Sequence, residues 1–369
     1  MQSPNRIVIA AAGGGKTTTI VDEVAANRNE RSVIITYTLT NVQEIQRKFY
    51  ERHGSIPPHV EIMSWYTFLL REAARPYQNY KYEKRIDGIS WMEANPDFYA
   101  QKADVGRYYF GNTSSIYSNK LSEFVCDCNH ASGGAIIHRL EQRFQQIYID
   151  EIQDMAGYDI DLIELLLKSK STVTLVGDPR QSTFTTNNSR KHKGYLGLNI
   201  IRKFEEWERK KLATIKYQVE SHRCNQSIAD MADSFYPDQP KTKSLNENVT
   251  GHDGVFVIRS SEVSDYVRRF SPQVLRLSVK TNCASLPAMN FGESKGMTFK
   301  RVLIFPHKMA LKWLATGDYA YVEGVRPELY VGVSRARHSV ALVYDHETPV
   351  KGVITYVPPN DHEINLVPV

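Results

Sequence analysis

Residues 6–20 read Arg-Ile-Val-Ile-Ala-Ala-Ala-Gly-Gly-Gly-Lys-Thr-Thr-Thr-Ile. The β-rich run Arg6–Ala10 is followed by three glycines, Gly13, Gly14 and Gly15, then by Lys16, Thr17 and a helix-compatible stretch. Strand, glycine-rich turn and helix in that order make a phosphate-binding loop. Small residues let successive backbone N–H groups turn inward around phosphates, Lys16 reaches the β/γ oxygens, and the Thr17 hydroxyl is suited to hold Mg²⁺. Ala10 stands where the usual pattern opens with glycine, a replacement that the looser form of the motif tolerates. The chain is therefore expected to bind ATP, or another nucleoside triphosphate, with Mg²⁺.

Further along, residues 146–154 read Gln-Ile-Tyr-Ile-Asp-Glu-Ile-Gln-Asp. Ile147–Ile149 suits a buried strand, with Asp150 and Glu151 at its C-terminal end, the edge at which open α/β sheets bind ligands. There Asp150 is placed to hold the Mg²⁺ water shell, and Glu151 to orient or deprotonate an attacking water. A further strand, Thr172–Val176, runs into Gly177-Asp178-Pro179-Arg180-Gln181-Ser182. The Gln181 amide suits sensing of a γ-phosphate or of that water. Between the two strands, Ile160, Ile163, Leu166 and Leu167 form the apolar stripe of a crossover helix.

The 369 residues suffice for two or three compact units. Forty-six Lys and Arg against 41 Asp and Glu permit nucleic-acid binding without requiring it, and 21 tyrosines offer faces on which bases stack. No stretch of 18 apolar residues suggests a membrane span, and the polar start leaves no room for a signal peptide. A cytoplasmic location with reduced cysteines is expected. Cys126, Cys128, His130 and His138 form a Cys-x-Cys-x-His-x₇-His run, open to either a metal or a packing role.

The phosphate loop, Asp150-Glu-Ile-Gln-Asp154 and Gly177-Asp-Pro-Arg-Gln-Ser182 together resemble superfamily 1 helicases of the UvrD/Rep/PcrA type. Thr36–Ile45 looks like motif Ia, Ser64–Phe68 like motif Ib and Glu220–Arg223 like motif IV. Phe291–Phe299 is similar to motif V and Leu329–Arg337 to motif VI. The resemblance implies an α/β fold of two RecA-like P-loop NTPase domains with parallel sheets. The first would span 1–210, with a small insertion at about 70–145, and the second 211–369, its own usual insertion reduced or absent. It also implies that Arg223 and Arg335 stabilise charge on the transferred phosphoryl group, and that Thr18, His222 and Gly296 lie beside the nucleotide. Tyr37, Thr38, Ser64, Trp65 and Phe184 would contact DNA, single-stranded or partly duplex, along which the protein would move 3′ to 5′.

The chain also departs from that family. Thr18 and His222 replace an arginine and a tyrosine, Thr186 a tryptophan after the third motif, Gly292 a histidine and Thr298 a glutamate. Few residues precede the phosphate loop, leaving no place for the family's glutamine motif. Base selection should accordingly be loose: ATP and GTP are expected to be hydrolysed at comparable rates, and strict dependence on ATP in a phosphate-release assay contradicts this. A second reading is a regulatory subunit that senses nucleotide and nucleic acid and controls a partner such as a nuclease, by analogy with the helicase-like subunits of Gabija-type anti-phage defence.

Overall fold

The computed structural model describes residues 4–91, 100–187 and 189–358. Its contacts divide the chain into a first unit that runs to Gln218 and a second that starts at Val219, with the four loop residues Ala11–Gly14 grouped with the second. The first unit thus ends at 218 rather than at 210, because Thr214–Gln218 is a strand of its sheet, paired in parallel with Arg6–Ala10.

In the first unit the strands are β1 (Arg6–Ala10), β2 (Ser32–Thr36) and β3 (Val60–Ser64), a short parallel pair β4 (Gly88–Ser90) and β5 (Ser115–Tyr117), then β6 (Gln146–Asp150), β7 (Thr172–Gly177) and β8 (Thr214–Gln218). Six of them form one parallel sheet in the order β3-β2-β6-β7-β1-β8. Every residue of β2, Ser-Val-Ile-Ile-Thr, is buried, as expected of a strand covered on both faces by crossover helices. The expected crossover helix after Asp150 is present as Tyr158–Leu167. The C-terminal ends of these strands carry the phosphate loop, Tyr37, Ser64, Asp150 and Gly177 on one edge of the sheet.

The segment between β3 and β6 contains a π-helix, Leu69–Ala74, and the helices Leu121–Ala131 and Ala135–Arg143. Residues 92–99 of the expected insertion lie outside the described residues. Buried Glu72 in the π-helix pairs with Arg71 and Arg143, fixing this segment to the last of those helices. Cys126, Cys128 and His130 share one helix and His138 lies on the next. Helix residues two apart face different ways, and among the described residues no group of three His, Cys, Asp or Glu is placed to hold a metal. Of the two roles left open for this run, packing is the one the structure supports. Burial pushes the Cys128 thiol up to about 12.

The second unit has the two-stranded pair β9 (Glu220–Ser221) and β10 (Lys243–Ser244), followed by β11 (Gly254–Ile258), β12 (Gln273–Arg276), β13 (Met289–Asn290), β14 (Phe299–Phe305), β15 (Ala336–Val343) and β16 (Val353–Thr355). The last six form a second all-parallel sheet, β13-β12-β14-β15-β11-β16. The α/β class with two parallel sheets is as the sequence indicates. Among the described residues no helix is long and apolar enough to cross a membrane.

One feature of this unit makes its stability sensitive to acid. The His252 ring is stacked between Phe256 and Phe270, with centroids 4.2 and 4.0 Å away, and its Nε2 lies 2.8 Å from the Tyr266 hydroxyl. Burial, reinforced by the charges of Arg301 and Arg269 and opposed by Asp253, lowers its pKa to about 4. The unfolded chain takes up this proton near pH 6.5. Between those values the unfolded state binds more protons, so stability is complete above about pH 6.5 and is lost as pH falls toward 4. Thermal unfolding should therefore show a steeper loss of midpoint over this window in the wild type than in His252→Gln. Equal slopes would contradict the burial argument.

Candidate functional site

The helix Lys16–Ala26 starts directly after Gly15, whose φ of 75° is readily adopted only by glycine. Gly13 has a φ of 76°. Lys16 Nζ donates to Ala10 O at 3.2 Å, folding the ammonium back over the loop. Thr17 Oγ1 donates to Asp150 Oδ2 at 3.4 Å. The hydroxyl and carboxylate expected to share Mg²⁺ are thus adjacent. Both are oxygen donors, and so small a protein contribution suits an ion that keeps waters and phosphate oxygens in its shell. Thr18 Oγ1 accepts from Lys48 Nζ at 3.0 Å, so a cation stands at this neutral position after all, supplied by the helix Leu39–His53.

Asp150 ends β6 almost wholly buried, and the Glu151 N–H donates to its Oδ1 at 2.9 Å. Glu151 has a φ of 58°, a left-handed conformation uncommon for a residue with a side chain. Gln153 holds this turn. Its Nε2 donates to Glu151 Oε2 and its Oε1 accepts the Asp178 N–H at 3.0 Å. A Cβ at Gly177 would overlap Gln153 Oε1 and Ile152 Cγ2, so this approach requires glycine. Fully buried Asp178 accepts from Arg180 Nε and from Gln181 Nε2, each at 2.9 Å. Burial alone would raise its carboxyl, but the charges of Arg180 and Lys16 and these hydrogen bonds outweigh it and hold the group ionised, below the usual range. Gln153 and Asp178 were not among the expected site residues. Gln153 was visible only as a letter of the Asp-Glu-Ile-Gln-Asp run.

Within the second unit, Ser221 Oγ donates to Ala12 O at 2.7 Å and the His222 N–H to Gly13 O at 3.0 Å. Arg223 Nη1 donates to Ser334 O at 3.2 Å. Arg335, itself buried, donates from Nε to Val331 O at 3.2 Å and from Nη1 to Met297 O at 3.3 Å. Both arginines thus rest on the carbonyl-rich C-terminal end of the helix Arg326–Ser334, where positive charge is favoured. Gly296 is exposed with a φ of 87°.

A groove of about 470 Å³ lies at the ends of β2 and β3, lined among others by Tyr37, Thr38, Ser64, Tyr66, Arg75 and Trp91. Thr38 caps the helix Leu39–His53, so a helix N-terminus, which favours phosphate, stands at its mouth. The structure brings Tyr37, Thr38 and Ser64 together here. Trp65 does not join them: it is fully buried, stacked on Phe68, with its indole N–H on Asp159 at 2.8 Å. It therefore cannot serve as a stacking surface, because its ring is spent on the core. Phe184 is about half exposed but does not line the groove. Thr186 is buried, its hydroxyl on Asp159 and its carbonyl accepting from the Tyr66 hydroxyl at 2.6 Å.

A family model described as the UvrD/REP helicase N-terminal domain matches residues 69–193, and one described as the viral superfamily 1 RNA helicase core domain matches residues 134–344. No curated protein matches the sequence. Among solved structures, the PRRSV helicase is similar at 17% identity and a TM-score of 0.47, covering 93% of this chain and 53% of that one. Arterivirus nonstructural protein 10 (helicase) is similar at 12% identity and 0.47, over 92% and 60%. The same helicase in complex with DNA gives 11% and 0.47, over 93% and 61%. The chain spans little more than half the length of these helicases.

Proposed function

The chain belongs to the superfamily 1 helicases, and from that premise we propose that it hydrolyses ATP or a related triphosphate to move along single-stranded nucleic acid. The observation that carries this reading is the convergence of Lys16, Thr17, Asp150, Glu151 and Gln181 at one sheet edge that also bears an aromatic groove. In this account the loop N–H groups and Lys16 bind the β- and γ-phosphates. Thr17 and Asp150 would hold Mg²⁺, which would neutralise charge on the phosphates. Glu151, held by Gln153, takes the proton of the attacking water, and Gln181 orients that water. Arg223 and Arg335 stabilise the charge that develops on the transferred group.

The strand occupies the groove at Tyr37, Thr38 and Ser64. DNA with 3′-to-5′ movement is our first choice, on the Asp150–Asp154 motif; the match to a viral RNA helicase core gives RNA a specific claim. Strand displacement from tailed DNA and RNA duplexes, with ATP hydrolysis followed in parallel, tests the proposal. Displacement of a 3′-tailed DNA duplex is expected. Strand-stimulated hydrolysis without displacement or translocation would contradict the motor and leave a nucleic-acid sensor. Displacement of RNA alone would overturn the choice of DNA.

A further inference from the structure

Resting on the nucleic-acid reading of the groove, we infer that Trp91 is a stacking platform for one unpaired base, added to the groove by the segment inserted between β3 and β6. Of the four tryptophans, Trp65, Trp207 and Trp313 are fully buried, whereas Trp91 is 64% exposed. A large apolar ring left in water on a concave wall marks a contact surface rather than a core position.

Its position is built, not incidental. Arg75 donates from Nε to Ile86 O at 2.9 Å and from Nη2 to Asp87 O at 2.7 Å, and Gln78 donates to Lys84 O while accepting the Ile86 N–H. Ile86 is fully buried, and β4, pairing with β5, leads straight into Trp91. The indole then meets Tyr66 edge to face, with centroids 4.7 Å apart and planes at 79°. Tyr66 is anchored by its hydroxyl on Thr186 O and lies 6.0 Å from Tyr37. The result is a row of three aromatic rings, Tyr37–Tyr66–Trp91, along the groove.

The rim explains why a strand is the occupant. Arg75 donates to neutral carbonyls and, among the described residues, pairs with no carboxylate, and the N-terminus of the helix Leu39–His53 adds positive potential at Thr38. Ring faces below and positive potential at the rim match bases strung on a phosphate backbone. Stacking accepts any base, because every base has a π-face.

The test uses the full chain, oligothymidylate, an abasic strand of equal length and free thymidine monophosphate, read by tryptophan fluorescence and by anisotropy. Because Trp91 is the exposed indole, oligothymidylate should quench the emission of the wild type and leave that of Trp91→Ala unchanged. Trp91→Ala should bind oligothymidylate about 5- to 150-fold more weakly, Trp91→Phe should recover most of that loss, and the abasic strand should bind wild type and variant alike. Unchanged affinity of Trp91→Ala for oligothymidylate would overturn the platform while leaving the nucleic-acid reading intact. Equal loss for the abasic strand, or quenching by the mononucleotide as effective as by the strand, would also overturn it. Failure of the wild type to bind any strand would instead remove the reading on which it rests.

Discussion

Replacing Lys16 with alanine is expected to reduce NTP hydrolysis at least a hundred- to a thousandfold, the scale for loss of one preorganised charge-stabilising group. The ammonium lies against Ala10 O and close enough to Asp178 to help hold its carboxyl ionised, below the usual range. Removing it takes away the loop's own positive charge and one of the cations that, with Arg180, hold buried Asp178 ionised. Nucleotide affinity should fall with turnover, because Lys16 would contact the phosphates before and during transfer. Steady-state phosphate release with Mg-ATP, beside a binding titration, reads both. Full turnover by Lys16→Ala would refute the assignment of the loop.

Glu151→Gln should behave differently: binding is retained while turnover drops by about 10²- to 10⁴-fold, the usual contribution of a general base. Glutamine keeps an oxygen that accepts the hydrogen bond from Gln153 Nε2, so the left-handed turn at 151 is preserved while the proton acceptor is lost. Gln153→Ala serves as the contrast. It leaves the carboxylate in place but removes the bridge to Asp178 N. A Glu151→Gln protein that hydrolyses at the wild-type rate would remove Glu151 from its proposed role.

The parts of this site that could be read from sequence are those set by local chemistry. Gly13–Thr17 and Asp150–Glu151 announce themselves because strand, turn and functional group are contiguous. The remainder depends on tertiary contacts. Nothing near residue 91 signals that Arg75 and Gln78 hold its strand against Tyr66. Asp159 reads as an ordinary first-turn acid of a helix, yet it is fully buried and gathers Trp65, Ser122 and Thr186. Burial pushes its carboxyl up and the hydrogen bonds only partly offset that. The same hub explains why Trp65, expected at the strand-binding surface, lies in the core. The family resemblance sets the division at 210, but the edge strand Thr214–Gln218 follows and moves it to 218.

Coupling of triphosphate hydrolysis to a single strand through one sheet edge is tested most directly by phosphate release measured against increasing single-stranded DNA at saturating Mg-ATP. A saturable rise in rate is expected for the wild type and none above background for Lys16→Ala. A rate indifferent to DNA and RNA strands alike, or one retained in full by Lys16→Ala, would contradict it.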